Sequence, residues 1–131
     1  MLIEKECYND PWTFSHFLYE VHNPHSISYV ALSENENIMG YIITHHIIEN
    51  ISVLNLAVNN DFRRKGVATK LLHQMYLIAR NENVLKIDLE VRESNSDAIS
   101  LYKRENFIIS GERKNFYSDG ETAIIMYKEF F

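Results

Sequence analysis

The spacing of apolar residues divides the chain into alternating and helical stretches. Ile27 to Leu32 and Ile38 to Thr44 are apolar, β-branched segments joined by the polar link Ser33-Glu34-Asn35-Glu36-Asn37, which predicts a hairpin; Ile51 to Val58 predicts a third strand. Behind Gly66 the period changes. Ala68, Leu71, Leu72, Met75 and Ala79 recur at offsets of three and four, the stripe of an amphipathic helix with Lys70, His73 and Gln74 on its other face. Val84 to Val91 returns to alternation, with Leu85, Ile87, Leu89 and Val91 on one side and Lys86, Asp88 and Glu90 on the other. The polar junction Arg92 to Ser96 leads into a short helix carrying Ala98, Ile99, Leu101 and Tyr102, which Asn106 can end in the left-handed conformation. Phe107 to Gly111 and Ala123 to Lys128 predict terminal strands around an aromatic, polar loop that turns at Asp119-Gly120. Ahead of all these, Met1 to Tyr8 reads as the end of an earlier helix. Asp10-Pro11 then breaks the chain, and Trp12, Phe14, Phe17, Leu18 and Val21 predict a second short helix with Thr13 as its cap. The interleaved order, without repeats, predicts a single mixed α/β domain over residues 1–131.

Composition narrows the class of protein. A chain of 131 residues, 46% hydrophobic and 24% charged, buries one ordinary core and is not disordered. A net charge of −5 disfavours nonspecific nucleic-acid binding and favours a basic partner. The single cysteine, Cys7, excludes an intramolecular disulfide and fits a reducing compartment. With no signal-like start and no apolar run of membrane length, the expected location is the cytoplasm. The six histidines have no spacing with Cys7 or carboxylates that would build a metal site, so no metal is expected.

The chemistry concentrates where the third strand meets the helix. Val53 to Val58 ends in the turn Asn59 to Phe62, and Arg63-Arg64-Lys65-Gly66-Val67-Ala68 passes straight into the helical stripe. A helix start presents backbone N–H groups without intrahelical partners at the positive end of the dipole, a seat for an anion that the three basic residues would strengthen. The segment lacks the Lys-Ser/Thr ending of a phosphate-binding Walker loop and the glycines of the dinucleotide fingerprint. By residue type alone, a basic helix entrance is equally a solvated face.

The same segment resembles the acyl-CoA signature of the GNAT N-acetyltransferases, Arg/Gln-x-x-Gly-x-Gly/Ala. The likeness continues through Leu89-Glu90-Val91-Arg92-Glu93-Ser94-Asn95, Ala98-Ile99-Ser100-Leu101-Tyr102, Phe107, Arg113-Lys114-Asn115-Phe116-Tyr117 and Ala123-Ile124-Ile125-Met126. With Pro11-Trp12-Thr13, it is similar to the RimI-type subgroup, which acetylates the alanine terminus of a ribosomal protein. The resemblance implies a central, mixed, mostly antiparallel sheet flanked by helices. Set against the family's usual domain, the resemblance implies that the first strand is missing before Met1.

The resemblance also implies roles. Acetyl-CoA would be the co-substrate, its pyrophosphate held by main-chain N–H groups from Arg64 through Lys65, Gly66 and Val67 to Ala68, with help from the charge of Arg63 and Arg64. Its pantetheine arm would run along the backbone of Leu56, Ala57 and Val58 and meet the side chain of Asn95, which by position is equally a helix cap. Glu90 would be the general base and Tyr102 the general acid toward the CoA thiolate. Without the resemblance they read as a solvent-facing strand carboxylate and a packing aromatic. Trp12, Arg113, Phe116 and Tyr117 would line the acceptor side, although Phe116 and Tyr117 also fit a hydrophobic plug. The implied function is acetyl transfer to a protein N-terminal α-amine, with a ribosomal protein as the leading acceptor. The alternatives are a related enzyme for another peptide, a lysine or a small amine, and an inactive CoA-binding module. Neither a nucleic acid nor a membrane is an expected partner, and the sequence leaves monomer and weak dimer both open.

Overall fold

A computed structural model describes residues 25–130. Within them the chain forms β1 (Ser26–Leu32), β2 (Ile38–Ile47), β3 (Asn50–Val58), a 3-10 turn (Asn60–Phe62), α1 (Val67–Asn81), β4 (Lys86–Arg92), α2 (Ser96–Arg104), β5 (Ile108–Arg113) and β6 (Ala123–Glu129). The expected helix end at Met1 to Tyr8, the expected helix around Trp12 and the expectation about the family's first strand all fall outside the described residues.

The six strands make one sheet in the order β1-β2-β3-β4-β6-β5. Every pairing is antiparallel except β3 with β4, which α1 connects as a crossover, so the sheet is mixed and mostly antiparallel as expected. The helical stripe finds its core: Val67, Leu71, Leu72, Met75, Tyr76 and Ala79 of α1 are buried with Ile42, Ile51, Val53, Ile87, Leu89, Val91, Phe107 and Met126. Ala68 is only half-buried and instead borders a cleft.

Two local features differ from the sequence pattern. β2 and β3 run on to a two-residue turn at Ile48-Glu49, where Ile48 takes φ 54°, a conformation that its β-branched side chain disfavours and no turn residue announces. Leu85 is exposed rather than aligned with Ile87, because left-handed Asn83 (φ 56°) turns the chain and leaves Val84 buried; the Leu85 N–H donates to the Glu49 carbonyl at 2.8 Å before β4 begins. The end of α2 follows the expectation: Asn106 has φ 69°, and the Phe107 N–H donates to the Tyr102 carbonyl, with the two rings 5.6 Å apart and tilted by 58°.

The parallel pairing positions the site. β3 and β4 are in register only from Asn50 with Lys86 to Val53 with Leu89. At that point Leu54 is an extra residue relative to β2, since Ile43 faces Asn55 while Thr44 faces Val53. A bulge of this kind bends its strand and increases its twist. Beyond it β3 stays registered with β2 while β4 follows β6, and the sheet opens between them.

Candidate active site

The opening between β3 and β4 is the mouth of a cleft of about 1080 Å³. Its wall includes Leu56, Ala57, Val58, Arg63, Arg64, Gly66, Val67 and Ala68 from one side and Glu90, Asn95, Tyr102 and Tyr117 from the other. Twelve residues singled out in the sequence thus share one cavity. Lys65 is not in its wall; its ammonium lies 5.7 Å over the Phe62 ring. Arg113 and Phe116 stand beside the cleft rather than in its wall, and Trp12 lies outside the described residues.

One half of the cleft is made of main chain. The Asn59 side chain accepts from the Asp61 N–H at 3.0 Å and folds the turn after β3. Arg63 Nε donates to the Val58 carbonyl at 3.3 Å. Left-handed Arg64 (φ 62°) and Gly66 (φ 77°) then aim the chain into α1. Gly66 caps α1 without any side-chain hydrogen bond, so the first-turn N–H groups of a fifteen-residue helix meet the cleft with no side-chain acceptor. Nothing lies within 4 Å of the place a Gly66 Cβ would occupy, so the residue answers to its backbone angle and to open cleft, not to packing. Gly40 is the opposite case, and the sequence reading did not single it out. A Cβ there would stand 2.6 Å from the Ala57 carbonyl oxygen and 3.2 Å from Val67, so only glycine lets β2, β3 and the start of α1 meet this closely.

The other half is made of side chains. Glu90 projects from the polar face of β4 and pairs with Arg113 Nε at 3.3 Å. The Arg113 guanidinium also lies 5.7 Å from the Phe116 ring, which meets Tyr117 edge-on at 5.1 Å. Tyr102, 7% exposed on α2, borders the cleft; burial pushes its phenol pKa up, and proximity to Tyr117 adds to the effect. The hydroxyl therefore stays protonated throughout the range in which amines lose their protons. Asn95 does cap α2, its Oδ1 accepting from the Ala98 N–H at 3.2 Å, which leaves its amide NH2 as a donor.

A network absent from the sequence reading anchors this half. Arg92, two residues beyond Glu90 on the same face of β4, donates to Asp119 at 2.8 Å and Glu121 at 2.9 Å, and its guanidinium lies 4.0 Å from the Tyr117 ring centre. The second Glu121 oxygen accepts from the Ser94 N–H at 2.7 Å. Hydrogen bonds from Ser94 and then from Arg92 hold the Glu121 carboxyl below the usual carboxylate range. The alternation of β4 could have placed Arg92 beside Glu90; nothing local marks its partners 27 and 29 residues away. Among the described residues no group of histidine, cysteine and acidic side chains is arranged to hold a metal ion, and no helix is long and apolar enough to cross a membrane.

Comparison with known proteins identifies the family of the chain. Residues 1–107 match the model of the acetyltransferase (GNAT) family. The ribosomal protein bS18-alanine N-acetyltransferase of Haemophilus ducreyi is 32% identical over 130 residues, covering 95% of this chain and 87% of that protein. The crystal structure of the ribosomal-protein-S18-alanine N-acetyltransferase from Escherichia coli superposes with a TM-score of 0.88 at 28% identity, over 98% of this chain and 83% of the other. A Bacillus anthracis acetyltransferase solved in complex with acetyl coenzyme A gives 0.74 at 27% identity, over 84% and 65%.

Proposed function

The chain belongs to the GNAT acetyltransferase family, which makes it an acetyl-CoA-dependent acyltransferase, and we propose that its acceptor is a protein N-terminal α-amine. We read residues 1–131 as one catalytic domain of this kind. The observation that carries the proposal is that Glu90 and Tyr102 line the same cleft as the uncapped start of α1. The finer assignment, the alanine terminus of a small-subunit ribosomal protein, rests on the similarity to the Haemophilus ducreyi and Escherichia coli enzymes.

The cleft suits the donor. The helix start bordered by Gly66, Val67 and Ala68 offers main-chain donors to the pyrophosphate, with Arg63 and Arg64 adding charge and the Lys65 main chain completing the loop. The gap beside Leu56, Ala57 and Val58 takes the pantetheine arm, and the Asn95 amide donates to it. Acetyl-CoA supplies the activated acetyl thioester. Glu90 accepts the proton of the acceptor ammonium, directly or through a water, because only the neutral amine attacks and an α-amine has a pKa near 8. Tyr102 donates its phenolic proton toward the departing thiolate. Arg113 holds Glu90 until the acceptor ammonium takes its place; Phe116, Tyr117 and Trp12 complete the acceptor side. The acidic balance of the chain favours a basic protein tail, in keeping with a ribosomal acceptor in the cytoplasm.

The test is to incubate the protein with ribosomal proteins of the same cell and isotope-labelled acetyl-CoA, then map the label by mass spectrometry. Label on one alanine N-terminus is the expected result. Label confined to lysines or small amines would retain the enzyme and reject the acceptor, whereas no label from a chain that binds acetyl-CoA would reject the catalytic reading.

A further inference from the structure

The buried end of β4 holds an arginine that the chemistry above does not use. The Arg92 side chain is 11% exposed, a cost that is offset only if its charge is matched and its donors are satisfied. Asp119 and Glu121 match it, the Tyr117 ring covers one face of the guanidinium, and Glu121 passes the connection on to the Ser94 backbone at the entrance of α2. The Asp119 carboxylate is itself set by the Glu121 N–H at 3.0 Å, and the Tyr117 N–H donates to the Glu121 carbonyl at 3.2 Å. The Glu93 N–H donates to the Thr122 carbonyl at 3.0 Å. The contacts of Arg92, Glu93 and Ser94 join residues 92–94 to residues 117–122, the two bonds within 117–122 brace that loop, and the network meets between the proposed base and the aromatic loop.

We propose that Arg92 is the positioning residue of the acceptor side: clamped by Asp119 and Glu121, its guanidinium fixes the Tyr117 ring in the cleft wall between Glu90 and Tyr102, and so sets where the acceptor terminus lies. This deepens the acyl-transfer reading and rests on it. Arg92 does not touch the reacting atoms; it acts through Tyr117. The pyrophosphate seat, built from β3 and the start of α1, lies on the opposite wall from the clamp, and Asn95, next to Ser94, keeps its own bond from the Ala98 N–H.

The experiment compares Arg92→Met, Arg92→Lys, Tyr117→Ala and the double variant Arg92→Met/Tyr117→Ala, using whichever acceptor the wild-type protein acetylates. Failure of the acceptor assignment then shows in the wild type alone and is separable from failure of the clamp. Arg92→Met is expected to raise acceptor KM on the order of tenfold while acetyl-CoA Kd stays within about twofold, and Arg92→Lys, a point charge without the fork, to recover part of the loss. Because Arg92 acts through Tyr117, adding Tyr117→Ala to Arg92→Met should change KM by less than about twofold further. Multiplying effects, or an equal loss of acetyl-CoA affinity, would overturn the proposal. Should Arg92→Met not fold, Glu121→Gln retains the Asp119 contact and is expected to raise acceptor KM about threefold; an unchanged KM there would equally overturn it.

Discussion

The two walls of the cleft are built from different materials. The β3–α1 wall is main chain held in place by two glycines, one demanded by a positive φ and the other by the approach of a carbonyl. The β4 and loop wall is a set of charged and aromatic side chains held by one another: Glu90 with Arg113, Arg92 with Asp119 and Glu121, and Tyr117 between Arg92 and Phe116. A backbone wall is specified by a few conformational requirements and is indifferent to most side-chain changes. A side-chain wall is specified by pairwise charge and can be retuned one residue at a time. A fixed donor facing an adjustable acceptor is the division of labour that acyl transfer to varied amines needs.

The largest effect belongs to the side-chain wall. Glu90→Gln should lower kcat about 100-fold or more near neutral pH while acetyl-CoA Kd stays the same, and the deficit should shrink above the amine pKa of about 8, where the acceptor needs no base. Stopped-flow single turnovers over pH decide it; an unchanged rate at pH 7 removes Glu90 from the chemistry. On the backbone wall the contrast lies within one loop. Gly66→Val forces a β-branched residue into left-handed φ, at about 1–2 kcal/mol, and fills open cleft. Acetyl-CoA affinity should fall at least about tenfold, whereas Arg64→Gln, which removes charge and leaves the main chain, should weaken it no more than about fivefold. Calorimetric titration of both variants tests whether backbone or side chain makes the anion seat; a reversed order would mean the latter.

Arg113→Gln carries a change of sign. If the guanidinium occupies Glu90 only until the acceptor arrives, its removal frees the carboxylate for the acceptor ammonium, and acceptor KM should fall, by about two- to fivefold for so exposed a pair. A rise in KM would instead make Arg113 a direct contact of the peptide.

The same division explains what could be read in the sequence. The order of strands, the helix behind Gly66, left-handed Asn106 and the gathering of Glu90, Asn95 and Tyr102 with the basic loop all follow from local pattern or from the resemblance built on it. Gly40 was open to reading, since a glycine inside a strand signals close approach of another backbone. The bulge at Leu54 has no local mark, because it is a property of the β2–β3 register and not of either strand. Ile48 adopts its positive φ against its own preference, imposed by two strands that pair to their ends. The Arg92 clamp was illegible for the plainest reason: Asp119 belongs to a turn that any acidic or amide residue could make, and only the paired β4 and β6 bring it beside Arg92.

The smallest effect concerns acid. Glu121 titrates below the usual carboxylate range in the folded chain because Ser94 and Arg92 donate to its ionised form. The sign follows from linkage: a carboxyl with a depressed folded-state pKa adds stability that is fully present above the unfolded value of about 4.3 and is lost as pH falls through the folded value. Thermal melts from pH 7 down to about pH 3 should therefore fall more steeply for the wild type than for Glu121→Gln, with the two curves converging at the acid end. The side-chain wall is the half with this sensitivity, for the main-chain donors around Gly66 do not titrate. Acceptor KM should accordingly begin to rise on acidification in the wild type and lose that part of its slope in Glu121→Gln. Parallel curves for the two proteins would mean that the Glu121 contacts stabilise neither the fold nor the loop, which would overturn the clamp.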